Sequence, residues 1–238
     1  MMIAYRTPSN QLNQYRLILG NAKHIKYESI ATTQFDPLKM LDIFEHGRQI
    51  KVVERAINID ITNYLKVAAP KLGKGFQYII KANEAISERL IKDSGLPNYQ
   101  GRDEFLADLD YIANLYTDLL GCPTIGIRLE ILNQAMCPKF HVDKTGIRLL
   151  CTYTGPGTEW LEDAYADRTK LGMASANMDD AVSGVVLDAK GIQQVPLFAV
   201  ALLKGSLWQG NGMHGIIHRS PAVTDSKPRV MLAIDAIW

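Results

Sequence analysis

After Pro123 the sequence changes texture: short runs rich in Ile, Val, Leu and Thr are separated by Gly, Pro and Asn. Branched side chains fit a pleated, half-buried surface, and the punctuating residues turn the chain, so these runs read as strands. They are Thr124 to Leu132, Phe140 to Asp143, Ile147 to Thr154, Gly184 to Leu187, Leu197 to Lys204, Ile216 to Arg219 and Arg229 to Asp235. Short strands bury their apolar faces only against one another. The expected architecture over 123–238 is therefore a small barrel or a two-sheet jelly roll, and its inward residues are where a ligand would sit.

The part before it, 1–122, reads as mainly helical. Phe105, Leu109, Ile112, Tyr116 and Leu119 recur at steps of four and three, which predicts a helix over Asp103 to Leu120 with one apolar face for an outer sheet surface. Asn83 to Lys92, Pro37 to Phe44 and Ile61 to Leu72 also read as helical, whereas "GFQYIIKA" fits strand or helix. The fold class is α+β, with the two parts expected to unfold as one cooperative unit.

A net charge of +1 with no block of like charge leaves out the electrostatic footprint of a nucleic-acid binder, so a small-molecule partner is expected. The longest apolar run of the C-terminal half, Leu197 to Leu203, falls far short of the roughly 20 residues that span a bilayer. The first residues lack the pattern of a secretory signal, and Cys122, Cys137 and Cys151 suit reduced thiols, so the expected location is cytoplasmic.

His141 and Asp143 lie two apart on an expected strand and so share a face, with Val142 opposite. Imidazole and carboxylate together suit a first-row divalent metal. A His-x-Asp pair alone is weak, since composition predicts roughly one third of such a pair by chance. A third ligand narrows to His218: His24 and His46 lie in polar surroundings of the N-terminal half, and His214 lies in a glycine-rich loop. His218 ends the apolar segment "GIIHRSP", and after a turn at Asp225, Ser226 and Pro228 the chain returns as "RVMLAIDA", opened by Arg229.

His141-x-Asp143, a distant His218, and Arg229 eleven residues further on resemble the HxD…H…R signature of Fe(II)/2-oxoglutarate-dependent dioxygenases. The resemblance covers about 125 to 238 and implies a double-stranded β-helix, a cupin-like jelly roll. It implies Fe(II) held by His141, Asp143 and His218, and the distal carboxylate of 2-oxoglutarate held by Arg229 with a hydroxyl from Tyr153 or Thr152. Met231 stands where such enzymes often carry Ser or Thr. The blocks "CPKFHVDKTGIRLLCTYTGPGTEWL", "ALLKGSLWQGN" and "HRSP" are similar to a bacterial family catalogued as domain of unknown function 1826, whose members are often encoded near zinc-homeostasis genes. That leaves zinc as the alternative ion, held by the same residues with or without Cys137, and a metal-free ligand-binding barrel as the other alternative.

Beyond the metal ligands, Thr158 and Trp160 are expected at the cavity mouth, and Lys204 and Trp208 at a substrate pocket or a barrel plug. The polar connection 160–183 reads as a lid or substrate loop, with Arg168 and Asn177 as its candidate contacts.

Overall fold

The computed structural model of the chain describes residues 35–82, 84–172, 178–212, 214–223 and 228–238. Nine strands build two antiparallel sheets among these residues. The large sheet has the order β1-β7-β4-β9-β3-β2, from Ile50–Val53, Val200–Lys204, Ile147–Thr154, Arg229–Ile237, Thr124–Leu132 and Gly75–Lys81. The small sheet has the order β6-β5-β8, from Ile192–Gln194, Glu159–Leu161 and Ile217–Arg219, and His141 adds a one-residue bridge beside β8. Following the chain from β3, the path enters the large sheet, the small sheet at His141, the large sheet at β4, the small sheet at β5 and β6, then β7, β8 and β9 in alternation. That winding is a double-stranded β-helix. Its two sheets face each other without closing into a barrel among the described residues.

Strand parity decides which side each residue serves. Leu149, Cys151, Tyr153, Val230, Leu232 and Ile234 turn outward from the large sheet into the main core, beneath the long helix Arg102–Leu120. Leu150, Ala201, Leu203, Met231 and Ala233 turn inward between the sheets. The long helix forms where the periodicity predicts it, with Asp103 and Glu104 in its first turn and Gly121, at φ 62°, ending it in the left-handed region. Phe105, Leu109, Ile112 and Tyr116 are fully buried on its inner face, each removing apolar surface worth roughly 1.5–3 kcal/mol.

One charged network is buried in that core. Arg55 forms a two-point ion pair with Asp108, at 2.5 and 3.1 Å, and donates from Nε to the carbonyl of Phe198 at 2.8 Å. The Tyr153 hydroxyl donates to Oδ2 of the same carboxylate at 2.8 Å, sharing that oxygen with Arg55 Nη2. Removing one partner of such a pair leaves a buried charge, so Asp108→Ala is expected to lower stability by about 3–5 kcal/mol in urea unfolding.

Several elements differ from the sequence reading, each for a local reason. The region before 123 is not only helical: it supplies β1 and β2, the two edge strands of the large sheet, and "GFQYIIK" is β2. We propose that residues on both sides of 123 unfold together, because this sheet crosses that boundary; circular dichroism and tryptophan fluorescence should then give one coincident transition. The Pro37–Phe44 segment is a 3-10 helix, and Ile59–Ala68 ends in a 3-10 turn before Leu72. The next helix runs Ile86–Asp93; Asn83, its expected cap, lies outside the described residues. Residues 184–187 make a single bridge, Ala166 to Val186, after the short helix Asp180–Ser183. The described part of 160–183 is not a lid over the cavity. Tyr165, Ala166 and Leu171 pack with Phe140, Val142, Leu161 and Ile217 on the outer face of the small sheet, whose apolar side chains require a cover. The expected turn at Asp225 and Ser226 lies outside the described residues.

Candidate metal centre

His141 and His218 face each other across the bridge, exchanging both backbone hydrogen bonds at 3.0 and 2.9 Å. Residues paired this way present their side chains to one face, and the ring centroids are 4.6 Å apart. The Nδ1 of His141 lies 2.8 Å from the carbonyl of Lys139, and that of His218 lies 3.2 Å from the carbonyl of Ile216. A carbonyl only accepts, so each Nδ1 carries a proton, and Nε2 is the ring atom that donates to Asp143 when protonated and offers its lone pair to a metal when not. Both Nε2 atoms point at Asp143: 3.3 Å from Oδ1 for His141 and 3.4 Å from Oδ2 for His218. One ligand atom from each of the three lies within 4.8 Å of the other two. Two neutral imidazoles with fixed tautomers and one carboxylate form a donor set that can hold a divalent transition metal.

A residue the sequence reading missed completes the surroundings. Arg148 on β4 grips Asp235 of β9 with Nε and Nη2, at 2.8 and 2.9 Å, and donates from Nη1 to Oδ2 of Asp143 at 2.5 Å. Burial alone would raise the Asp143 carboxyl, but the hydrogen bonds from His141 and His218 and the charge of Arg148 hold it far below the usual carboxylate range. For His141, burial opposes protonation, yet the contact with Asp143 and the Lys139 carbonyl raise its pKa above the ordinary value. Arg148 thus occupies one oxygen of the carboxylate and opposes a second cation on the other. Unit charges some 5 Å apart interact by about 3 kcal/mol at an effective dielectric of 20. Arg148→Met is therefore expected to tighten Mn(II) binding about tenfold or more, measured by titration calorimetry, with Arg148→Lys close to wild type.

The same cavity contains Arg229, which opens β9 and is 1% exposed. Its Nη2 donates to Thr158 Oγ1 at 2.8 Å and lies 3.4 Å from Thr152 Oγ1 and 3.1 Å from the Met231 sulfur. Its Nε has no partner among the described residues. Burial pulls the guanidinium pKa down to about 10, with only Glu130 opposing. The other arginines of the cavity are paired with carboxylates: Arg128 with Glu130 and Asp235, Arg148 with Asp143 and Asp235, Arg219 with Glu159 and Asp180. Gly155, at φ 78°, lies so close to Arg229 that a Cβ there would come within 2.8 Å of its Cα, so this turn needs glycine.

The structure brings His141, Asp143, His218, Arg229 and Thr158 to one cavity, with Thr152 in contact with Arg229. Tyr153 does not join them. It follows Thr152 along β4, points to the opposite face, and lies between Phe105 and Phe198 with its hydroxyl on Asp108. Trp160 is on β5 opposite His218, but packs against the apolar filling between the sheets rather than lining the cavity. Lys204 and Trp208 are also elsewhere. Lys204 ends β7 and Trp208 follows it, on the far side of β4 from β9 and β3; the Lys204 ammonium reaches the Glu45 carbonyl at 3.5 Å, and the Trp208 ring packs on Phe44. Arg168 bonds Asp163 and the Gly215 carbonyl outside the cavity, and Asn177 and His24 lie outside the described residues. His46 and His214 are exposed. Cys137 lines the cavity without belonging to the three-ligand cluster, and Cys122 and Cys151 are buried. Arg148, Arg128 and Glu130 carried one sequence signal: each is a charge on the inward parity of an otherwise apolar strand.

The fold and this cluster define a double-stranded β-helix protein with a candidate His-Asp-His metal centre. The chain belongs to the family described as "Protein of unknown function (DUF1826)", which matches residues 35–235. A comparison with curated protein sequences gives no match. Among solved structures the chain is similar to a rice dioxygenase for auxin oxidation, at 15% identity over 79% of this chain and 73% of that one, with a TM-score of 0.49. It is also similar to HygX from Streptomyces hygroscopicus with nickel and 2-oxoglutarate bound, at 8% identity over 86% and 88%, TM-score 0.44. A Pseudomonas putida prolyl-4-hydroxylase gives 11% identity over 84% and 97%, TM-score 0.42. No helix among the described residues is long and apolar enough to cross a membrane.

Proposed function

We propose that this chain is an Fe(II)- and 2-oxoglutarate-dependent oxygenase. One observation carries this proposal: a single cavity holds a His-Asp-His cluster and also a buried arginine with no acidic partner among the described residues. Two imidazoles and one carboxylate leave coordination positions open, the donor set of non-haem Fe(II) oxygenases. A keto acid with a second carboxylate has one end for the metal and one for a guanidinium, whose planar fork matches a carboxylate. The orphaned Nε of Arg229 is the donor such a carboxylate would satisfy.

When bound, iron would couple dioxygen reduction to oxidative decarboxylation of the keto acid, releasing CO2, with one oxygen atom entering succinate and the other the substrate. The residues of the chain do the rest. His141 and His218 serve as neutral Nε2 donors, Asp143 offsets the cation's charge, and Thr158 and Thr152 aim Arg229. Leu150, Met231 and Ala233 supply the apolar part of the cavity lining.

The test is anaerobic addition of Fe(II) and then 2-oxoglutarate to the full chain. A weak visible charge-transfer band that is absent in Arg229→Ala supports the assignment. Tight stoichiometric zinc and no such band would replace it with a zinc-binding role for the same three ligands.

A further inference from the structure

The cavity at the three ligands is small, about 70 Å³, less than half the roughly 150 Å³ void that one benzene fills. A keto acid between the cluster and Arg229 would occupy it, so the body of any further reactant must lie outside. A groove of about 670 Å³ adjoins the cavity, and the two share Arg128, Glu130 and Met136. Its lining comes from 73–77 and 128–136, at the start of β2 and the end of β3, and contains no residue of the small sheet.

Two features indicate what fits there. Among the described residues β2 pairs with β3 alone, so it is an edge strand. Every second residue of such a strand turns its N–H and C=O away from its neighbour, and an extended chain can pair with that row. Small-molecule sites instead enclose most of their ligand, whereas this groove is lined only by the start of β2, the end of β3 and the segment that follows it. The second feature is charge. Arg128 and Glu130 lie 3.4 Å apart and offset each other, while Lys74 is exposed and pairs with no carboxylate among the described residues. The groove is therefore weakly positive.

We infer that the groove seats an extended, acidic peptide segment along the β2 edge, with one of its side chains passing Met136 toward the metal cluster. This rests on the proposed oxygenase reading only for what happens to that side chain. Binding itself is a property of the groove. Selection of displayed random dodecapeptides against the full chain should enrich acidic sequences, and fluorescence anisotropy of an enriched peptide should give a micromolar Kd. Gln77 is exposed on the groove floor, so Gln77→Trp should weaken that peptide at least tenfold. Glu88→Trp, on an exposed helix position elsewhere, should leave it unchanged. No enrichment, binding indifferent to Gln77→Trp, or a glycan array bound in place of peptides would overturn the inference. The Fe(II)–2-oxoglutarate band, recorded on all three proteins, separates the two claims. Peptide binding without the band keeps the groove and removes the oxygenase, while the band without peptide binding does the reverse.

Discussion

Arg229→Met is expected to make the ligand-free protein more stable while abolishing 2-oxoglutarate binding. Arg229 is 1% exposed, its Nη2 contacts are two hydroxyls and a thioether, and its Nε is unpartnered. A guanidinium whose pKa burial has pulled down to about 10 has lost about 3 kcal/mol of its preference for the charged form. Replacing a buried charge by an apolar side chain of similar length is worth about 1–4 kcal/mol where the charge is poorly compensated. The unfolding free energy in urea should therefore rise by an amount in that range. Adding 2-oxoglutarate to the Mn(II)-loaded proteins should reverse the order. A ligand at a hundred times its Kd stabilises the folded state by about 2.7 kcal/mol, and only the wild type can take it. If Arg229→Met instead unfolds at lower urea, the arginine serves chiefly to tie Thr158 to β9, and its place in the proposed reaction falls.

The same residue shows what could be read from the sequence. Arg229 entered through its likeness to the arginine of the HxD…H…R signature, and strand parity agrees with an inward position: 229 alternates with Val230, Leu232 and Ile234, which fill the core. His141 and Asp143 followed from parity, and His218 because few histidines remained. Parity also separates Thr152 from Tyr153, since consecutive strand residues face opposite sides; offering both as one site left that distinction unused. Arg148 was missed because its role depends on pairing across the sheet. It sits opposite Asp235 in register, 87 positions away along the chain, and nothing local to either residue indicates that.

The fold divides along the same line. The long helix and the strands β3, β4, β7 and β9 are long enough for periodicity to declare them. The small sheet is legible only in part: β8 falls within the expected strand Ile216 to Arg219, but β5 and β6, of three residues each, are too short for an alternating pattern to stand out from a loop. The placement of β1 and β2 depends on tertiary context, since "IKVV" and "GFQYIIK" become strands by completing the edges of a sheet whose other members lie more than 40 residues later. Lys204 and Trp208 illustrate the converse error. A polar or aromatic residue at or just past the end of a strand suggests a pocket, but which side of the sheet holds the pocket is set by strand order.

Asp143→Asn is the substitution expected to cost most, because it keeps the shape of the site and removes its one negative ligand. Arg148 retains its two-point grip on Asp235, so the fold should persist, while Mn(II) or Zn(II) binding should fall at least a thousandfold, about 4 kcal/mol. The pH dependence gives a second readout. In the metal-free protein the His141 pKa is raised above its ordinary value, with burial opposing and the Asp143 contact and Lys139 carbonyl prevailing. Stability from that contact is therefore full below the ordinary histidine range and is lost as pH rises through the raised value. Metal binding has the opposite sign, because the ion displaces the proton from His141 Nε2. The rise in Tm on adding Zn(II) should thus be small near pH 5.5 and large near pH 8 in the wild type. In Asp143→Asn, His141 has no carboxylate beside it and the ion loses its anionic ligand, so both the metal shift and its pH dependence should disappear. A variant that still gains as much from Zn(II) at pH 8 as the wild type would show that the ion binds elsewhere, and the three-ligand centre would have to be abandoned.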